Sequence, residues 1–525
     1  MKKVLALILA VLAVAGIFAG CTGNGGPVGP GNLNLSGDLY PVDENGNFIY
    51  GDAFKGQKVT MWVGSNFDLN EDMFFFKKIE EVIGCDLEIT FYPYGEVFTT
   101  KVSNALATNS LPDIIPLSGV ELSSITAYGD QGAFVNLMDP AVLERMPNFK
   151  RVIVDNPEAF ELFNMYTSTT TGGNYITPTW ELNRAVNYGW MYRKDIFEQH
   201  NIPMWTDTES FLSALRALKA AYPNSYPMTG FGMNSVWERM MSSFGEHNHT
   251  IMAYDWDAGK WYCPALSATE DFYSMIKTFQ KAYNEDLIDP DILTNTDVDI
   301  DSAVTNNNSF VFNSWIGRMS VQNAAGKEKN PDFQVSYANH IGNGKGLGLS
   351  KFTGGQTCIN AQAQNVEACI AIVDWLYSEE GAFAMSIGEE GKTFKMVDGE
   401  RVYIDASGNE LKAVTIEALE EHHGMWNVGY YKVLDKSSCY YDFTQEEAEA
   451  QEIGVAGGVV PARPEVVVDP DLAQDYWDMG DALNTEINSF IGKFVTQNYS
   501  REQFDNWVAN LHAKYDRLFD DILNK

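Results

Sequence analysis

Trp62, Trp180, Tyr188, Trp190, Trp237, Trp256, Trp315 and Trp426 fall in expected loops or at the ends of expected strands. A flat ring in such a place can stack on the apolar C–H face of a sugar, whose hydroxyls then need Asp, Asn, Arg or Ser partners. Ser65 and Asn66 follow the first expected strand beside Trp62, and Asp113 stands near the third. Asp113 and Arg318 could each serve several hydroxyls, because charge-assisted hydrogen bonds are the stronger ones. Each candidate has a structural alternative. The rings could pack cores, Asp113 could cap a helix, and Arg318 could form a surface ion pair.

Signatures of catalysis are missing. The chain has no GxSxG elbow, no HExxH and no GxxxxGK[ST], and the run Gly342-Asn343-Gly344-Lys345-Gly346-Leu347-Gly348 does not satisfy GxGxxG spacing. That run reads as a flexible loop. His247-Asn248-His249 is short of the three or four ligands a metal needs and reads as a solvent-exposed loop. Asp297-Val298-Asp299-Ile300-Asp301 begins like a calcium loop, but Ser302 and Asn308 stand where Gly and Glu are required, so an acidic turn or helix start is expected. No metal or cofactor is expected. A glycosidase leaves no local motif, since its two carboxylates need only be close in space, and that class stays open among 71 acidic residues.

Met1-Lys2-Lys3 followed by apolar Val4 to Phe18 matches the charged and apolar regions of a secretory leader. It is too short to be a comfortable membrane span, which needs roughly 20 apolar residues. Phe18-Ala19-Gly20-Cys21 resembles the lipobox of bacterial lipoproteins, which implies acylation of Cys21 and anchoring on the outer face of the cell membrane. The Gly/Pro-rich residues after it suit a flexible stalk over 21–51. The formal charge of −35 becomes −37 when Lys2 and Lys3 leave with the leader, which disfavours nucleic acid as a partner. Cys85, Cys263, Cys358, Cys369 and Cys439 have no CxxC spacing, so neither a zinc ribbon nor a dense disulfide scaffold is expected, and a single disulfide of unassigned pairing stays open.

The chain is 45% hydrophobic, and its body is long enough for more than one core. Strands are expected at 57–63, 87–92 and 111–115, alternating with amphipathic helices at 72–83 and 96–107. That order argues for a parallel sheet covered on both faces, with ligands gathering at the carboxyl ends of its strands. A strand-turn-helix unit follows from Tyr188 through Asn201-Ile202-Pro203 to a helix after Asp207. Further helices are expected at 272–283, over a long stretch at 366–385, and in 487–523.

Several segments, in order, resemble the extracellular solute-binding proteins of family 1, and more narrowly the large LipO-like lipoproteins that feed ABC importers. They are the lipobox, Leu111-Pro112-Asp113-Ile114-Ile115, Gly132-Ala133-Phe134-Val135-Asn136-Leu137, and Tyr192-Arg193-Lys194-Asp195-Ile196-Phe197 with Asn201-Ile202-Pro203. Asp286-Leu287-Ile288-Asp289-Pro290, Asp374-Trp375-Leu376-Tyr377-Ser378-Glu379-Glu380-Gly381 and Gly388-Glu389-Glu390-Gly391 complete the set. The resemblance implies a two-lobed α/β fold of the periplasmic-binding-protein kind, with an interlobe ligand cleft and a hinge. Lobe 1 is expected to take 52–171 and 354–424, and lobe 2 to take 172–353 and 425–525. It further implies a monomeric, non-catalytic protein that captures a solute, an oligosaccharide first among candidates, for an ABC permease. A surface-anchored glycosidase and a glycan-binding adhesin are the alternatives.

Overall fold

A computed structural model describes residues 33–525, apart from 34, 45, 118, 119, 121, 181–183, 231–236, 238, 239, 339, 413 and 465. Cys21 and its lipobox lie outside the described residues. Two compact units emerge, Met1–Leu182 with Lys351–Asp442, and Asn183–Ser350 with Phe443–Lys525. The changeovers at 182, 350 and 442 differ from the expected 171, 353 and 424. The first is late because residues 177–180 form a strand of the first unit's sheet, and the last because Tyr430 and Lys432 bond within that unit.

Ten strands are used below: β1 (Lys58–Ser65), β2 (Asp86–Pro93), β3 (Ile114–Pro116), β4 (Thr177–Trp180), β5 (Tyr188–Arg193), β6 (Val311–Trp315), β7 (Val335–Tyr337), β8 (Gly346–Leu347), β9 (Phe352–Ile359) and β10 (Val459–Val460). The first unit's sheet has the order β2-β1-β3-β9-β4. Val59, Met61 and Val63 alternate along β1 and are fully buried, as the period of two along a strand requires. β1 is parallel to β2 and β3, as expected, but β9 runs antiparallel to both β3 and β4. The sheet is therefore mixed. β4 and β9 come from distant parts of the chain, so no short helical crossover forces them to be parallel.

The stretch expected as one helix over 366–385 is two, Val366–Trp375 and Glu379–Ser386. Ser378 ends the continuity by accepting a hydrogen bond from the Gly381 N–H at 2.9 Å, which caps the second helix. The first of the pair is apolar nearly all round and buried, and it carries Asp374 into the interior. The Asp374 carboxylate accepts from the backbone N–H groups of Asn148 and Phe149 and from Asn148 Nδ2, each at 2.9 Å. Burial pushes its pKa from 3.8 up to about 7, against the pull of those three donors.

In the second unit β5 is the middle strand of an antiparallel sheet with the order β6-β5-β7. Helix Thr269–Asn284 packs on helix Ala473–Thr496 through a cluster that includes Phe272, Phe490, Phe494, Phe504 and Trp507. Phe490 and Trp507 lie parallel with centroids 3.8 Å apart. β5 ends on Arg193, 1% exposed, whose guanidinium pairs with both Asp195 oxygens at 2.8 and 2.7 Å. It also donates to the Val304 carbonyl and Asn307 Oδ1, and it lies over the Phe333 ring with its centre 3.8 Å from the centroid. Cys85, Cys263, Cys358 and Cys369 are buried in the cores, where burial pushes each thiol pKa upward.

Two stability tests follow from these buried groups. Arg193→Ala leaves Asp195 and two carbonyl-type acceptors without their donor and is expected to cost about 3–5 kcal/mol in urea unfolding. For Asp374, the folded state keeps a proton that the unfolded chain has released between pH 3.8 and about 7. Its contribution to stability therefore falls as pH rises through that window and levels off above it. The stability difference between the wild type and Asp374→Asn should follow the same course in urea titrations across the window; a difference independent of pH contradicts the assignment.

Candidate functional site

Within the second unit a cavity of about 610 Å³ opens on one face of the β5–β6 ribbon. Tyr188 pairs in register with Trp315, and Trp190 with Asn313. Because alternate residues of a strand share a face, these four side chains tile one side of the ribbon, with opposed Cβ atoms about 4.5–5.5 Å apart. All four line the cavity. Trp315 stands edge-on to Tyr188, ring centroids 5.1 Å apart and planes at 86°, and keeps 41% of its surface exposed. It is the exposed ring of the tile, whereas Tyr188 and Trp190 are buried.

Beneath this corner Trp190 is 3% exposed and packs against Phe211. Its indole Nε1 and the Asn313 Oδ1 opposite are both buried without a hydrogen-bond partner among the described residues. Buried polar atoms are nearly always satisfied, so two orphans on residues that line one cavity mark a place where a ligand group can complete the bonding. Asn187, Thr206, Ser242, Ser243 and His340 add further polar groups to the wall. Burial holds the His340 pKa below its ordinary 6.5, which leaves the ring neutral at neutral pH.

Gly346, Leu347 and Gly348, the end of the Gly342–Gly348 run, line this wall, and the run's contacts replace the flexible loop expected for it. Lys345 N donates to the Ser242 carbonyl at 2.9 Å, Lys345 Nζ pairs with Glu246 at 2.7 Å, and β8 runs parallel to β10. A side chain at Gly344 would fall inside van der Waals contact of the Ser242 carbonyl oxygen, so glycine is what lets the two backbones touch. Gly189 has the same use: the Tyr337 ring lies over it, with its hydroxyl 2.5 Å from where a Cβ would stand.

Of the residues expected to bind ligand, the cavity gathers Tyr188, Trp190 and Trp315. Trp237 lies in the second unit's core, edge-on to Phe279 at 5.0 Å. Arg318 is held by an ion pair with Asp301. The others belong to the first unit. Trp62 is half-buried against Tyr92, and Ser65 donates to Glu420 at 2.6 Å. Asn66 is exposed. Asp113 accepts from the backbone N–H and hydroxyl of Thr60 at 2.8 and 2.9 Å, which ties β1 to the approach of β3 in place of the expected cap or ligand contact. Trp180 is buried in β4, and Trp426 is buried against Tyr440.

The histidine segment also differs from its expectation. His247 is buried between the Tyr262 hydroxyl at 2.8 Å and Asp271 at 3.1 Å, and Asn248 bonds the Tyr254 backbone. His249 Nδ1 accepts from the Ile251 and Met252 N–H groups. It is a bonded structural turn, not an exposed loop. Asp297–Thr305 is a helix capped by Thr296, one of the two forms expected for it. Among the described residues no group of three or more His, Cys, Asp or Glu side chains could hold a metal ion.

The family model described as bacterial extracellular solute-binding protein matches residues 72–383. No individually curated protein matches the sequence. Among solved structures, an extracellular solute-binding protein from Bifidobacterium longum subsp. infantis aligns at TM-score 0.69 and 16% identity, covering 91% of this chain and 97% of its own. The alginate-binding protein AlgQ2 aligns at 0.67 and 17%, covering 88% and 96%. An HMO-binding, ABC-transporter-associated solute-binding protein from Bifidobacterium longum infantis aligns at 0.66 and 16%, covering 88% and 96%. These likenesses identify the fold as that of two-lobed solute-binding proteins. Gly344→Ala should cost about 1–3 kcal/mol, as overpacking does, whereas Gly346→Ala, whose nearest neighbours stand at 3.7 Å, should stay within about 0.5 kcal/mol of wild type. Paired urea melts check this.

Proposed function

Because the chain belongs to the bacterial extracellular solute-binding proteins, we propose that it captures a carbohydrate, foremost an oligosaccharide, and delivers it to an ABC importer. It is a binding protein and not an enzyme, so the glycosidase alternative falls. The observation that carries the sugar reading is the cavity wall at the Trp315–Tyr188 corner, where a partly exposed indole of the kind that meets a sugar's C–H surface stands beside hydrogen-bonding groups. The alginate-binding and HMO-binding neighbours support the same ligand class. The monomer acts at the outer face of the cell membrane, tethered through acylated Cys21 and the Gly/Pro-rich stalk. Multiple acyl chains hold firmly where one binds only marginally. No helix among the described residues is long and apolar enough to cross a membrane.

The test is a thermal-shift screen of mono- and oligosaccharides on the body from Asn32 onward. A ligand bound only by the folded state adds about 2.7 kcal/mol at a hundredfold excess over its Kd, which appears as a raised melting temperature. Trp315→Ala should weaken the sugar that scores by about tenfold or more, equivalent to about 1.4 kcal/mol, with little change in the unliganded melting temperature. If no sugar shifts the melt, the carbohydrate reading is wrong. Acylation is checked separately by mass spectrometry of the membrane-extracted N-terminus, which Cys21→Ala should return to an unlipidated mass.

A further inference from the structure

The cavity wall formed by the described residues is uncharged. Its polar groups are the carboxamides of Asn187 and Asn313, the hydroxyls of Thr206, Ser242, Ser243 and Ser350, two tyrosines, two indoles and His340. No Asp, Glu, Lys or Arg lines it among the described residues. The nearby Lys345 and Glu246 neutralise one another in an ion pair. Among the described residues no fixed cation lines the cavity to meet an anionic ligand, and the chain's formal charge of −35 opposes the approach of one.

The floor is more selective still. Trp190 Nε1 can only donate and Asn313 Oδ1 can only accept, and both stand buried and unpartnered on directly opposed residues of β5 and β6. A hydroxyl completes both, accepting from the indole N–H while donating to the amide oxygen. A carboxylate accepts from the indole but sets oxygen against oxygen at Asn313, and its charge is buried without a partner. We propose that the site takes an uncharged saccharide, one hydroxyl of which bridges Trp190 Nε1 and Asn313 Oδ1, and that it discriminates against uronates and other anionic sugars. The proposal rests on the carbohydrate reading above and narrows it.

The experiment is isothermal titration of the mature protein with neutral malto-, manno-, cello- and fructo-oligosaccharides, beside oligomannuronate and oligogalacturonate. A neutral oligosaccharide should bind, and the uronates should bind at least about tenfold more weakly, one decade being about 1.4 kcal/mol. Uronates binding as well as or better than every neutral sugar overturns this inference and leaves sugar capture standing. No binding by either kind overturns both. Trp190→Phe keeps an aromatic ring and removes the donor; it should weaken the neutral ligand by about three- to tenfold, the worth of one hydrogen bond, in a protein that still melts cooperatively, though at a lower temperature because the smaller ring leaves a cavity. Asn313→Ala serves as the second variant should Trp190→Phe not fold. Undiminished affinity in a folded variant sinks the bridging hydroxyl.

Discussion

A single buried guanidinium governs the second unit. Arg193 closes β5 with four side-chain hydrogen bonds and a stacked ring, and its own backbone N–H donates to the Phe310 carbonyl at 2.9 Å. A planar group with five donors suits such a node, because carboxylate, carbonyl and amide acceptors can be met in one plane. Desolvating a charge is unfavourable in itself, so the ion pair gains its place by what it orders. The helix Asp297–Thr305, the turn at Asn307 and the strand pairing all refer to the same point. Three and five residues upstream, Trp190 and Tyr188 inherit their positions from that anchored strand end.

From there the geometry of a ladder does the rest. In-register pairing puts Tyr188 against Trp315 and Trp190 against Asn313, so partners more than 120 positions apart share one face. Neither pair is close in sequence, and neither would survive a one-residue slip, which would turn every side chain to the other face. The glycines at 189 and 344 serve by absence. One makes room for Tyr337, and the other lets the Ser242 backbone close the wall.

Much of the fold was legible because periodicity reports burial. The strands and helices between residues 57 and 116 follow directly from alternation and helical spacing, and the motifs around Arg193 and Asp374 turn out to be internal ties of each unit. The site was legible only in part. Tyr188, Trp190 and Trp315 stand out in the sequence as rings, but nothing local separates them from Trp180, Trp237 or Trp426, which are buried. A ring's use depends on what register places across from it, and register between distant strands is not written in either strand alone. Asn313, Ser242 and Tyr337 had no signal at all. The glycine run carried a signal that was misread: clustered glycines mean close backbone approach as readily as looseness.

The first unit's sheet has a further consequence for how the chain comes together. β9 lies between β3 and β4, and the two pieces of chain that flank it in space precede it by more than 170 residues. During synthesis, or passage end-first through a pore, some 180 residues of the first unit emerge with β3 still an open edge. The whole excursion through 183–350 must follow before residues 352–359 can fill that edge. Long-range strand pairing of this kind is slow, since loop closure must precede any reward. The topology thus delays its own completion, and it holds the early third of the chain threadable until most of the polypeptide has been delivered.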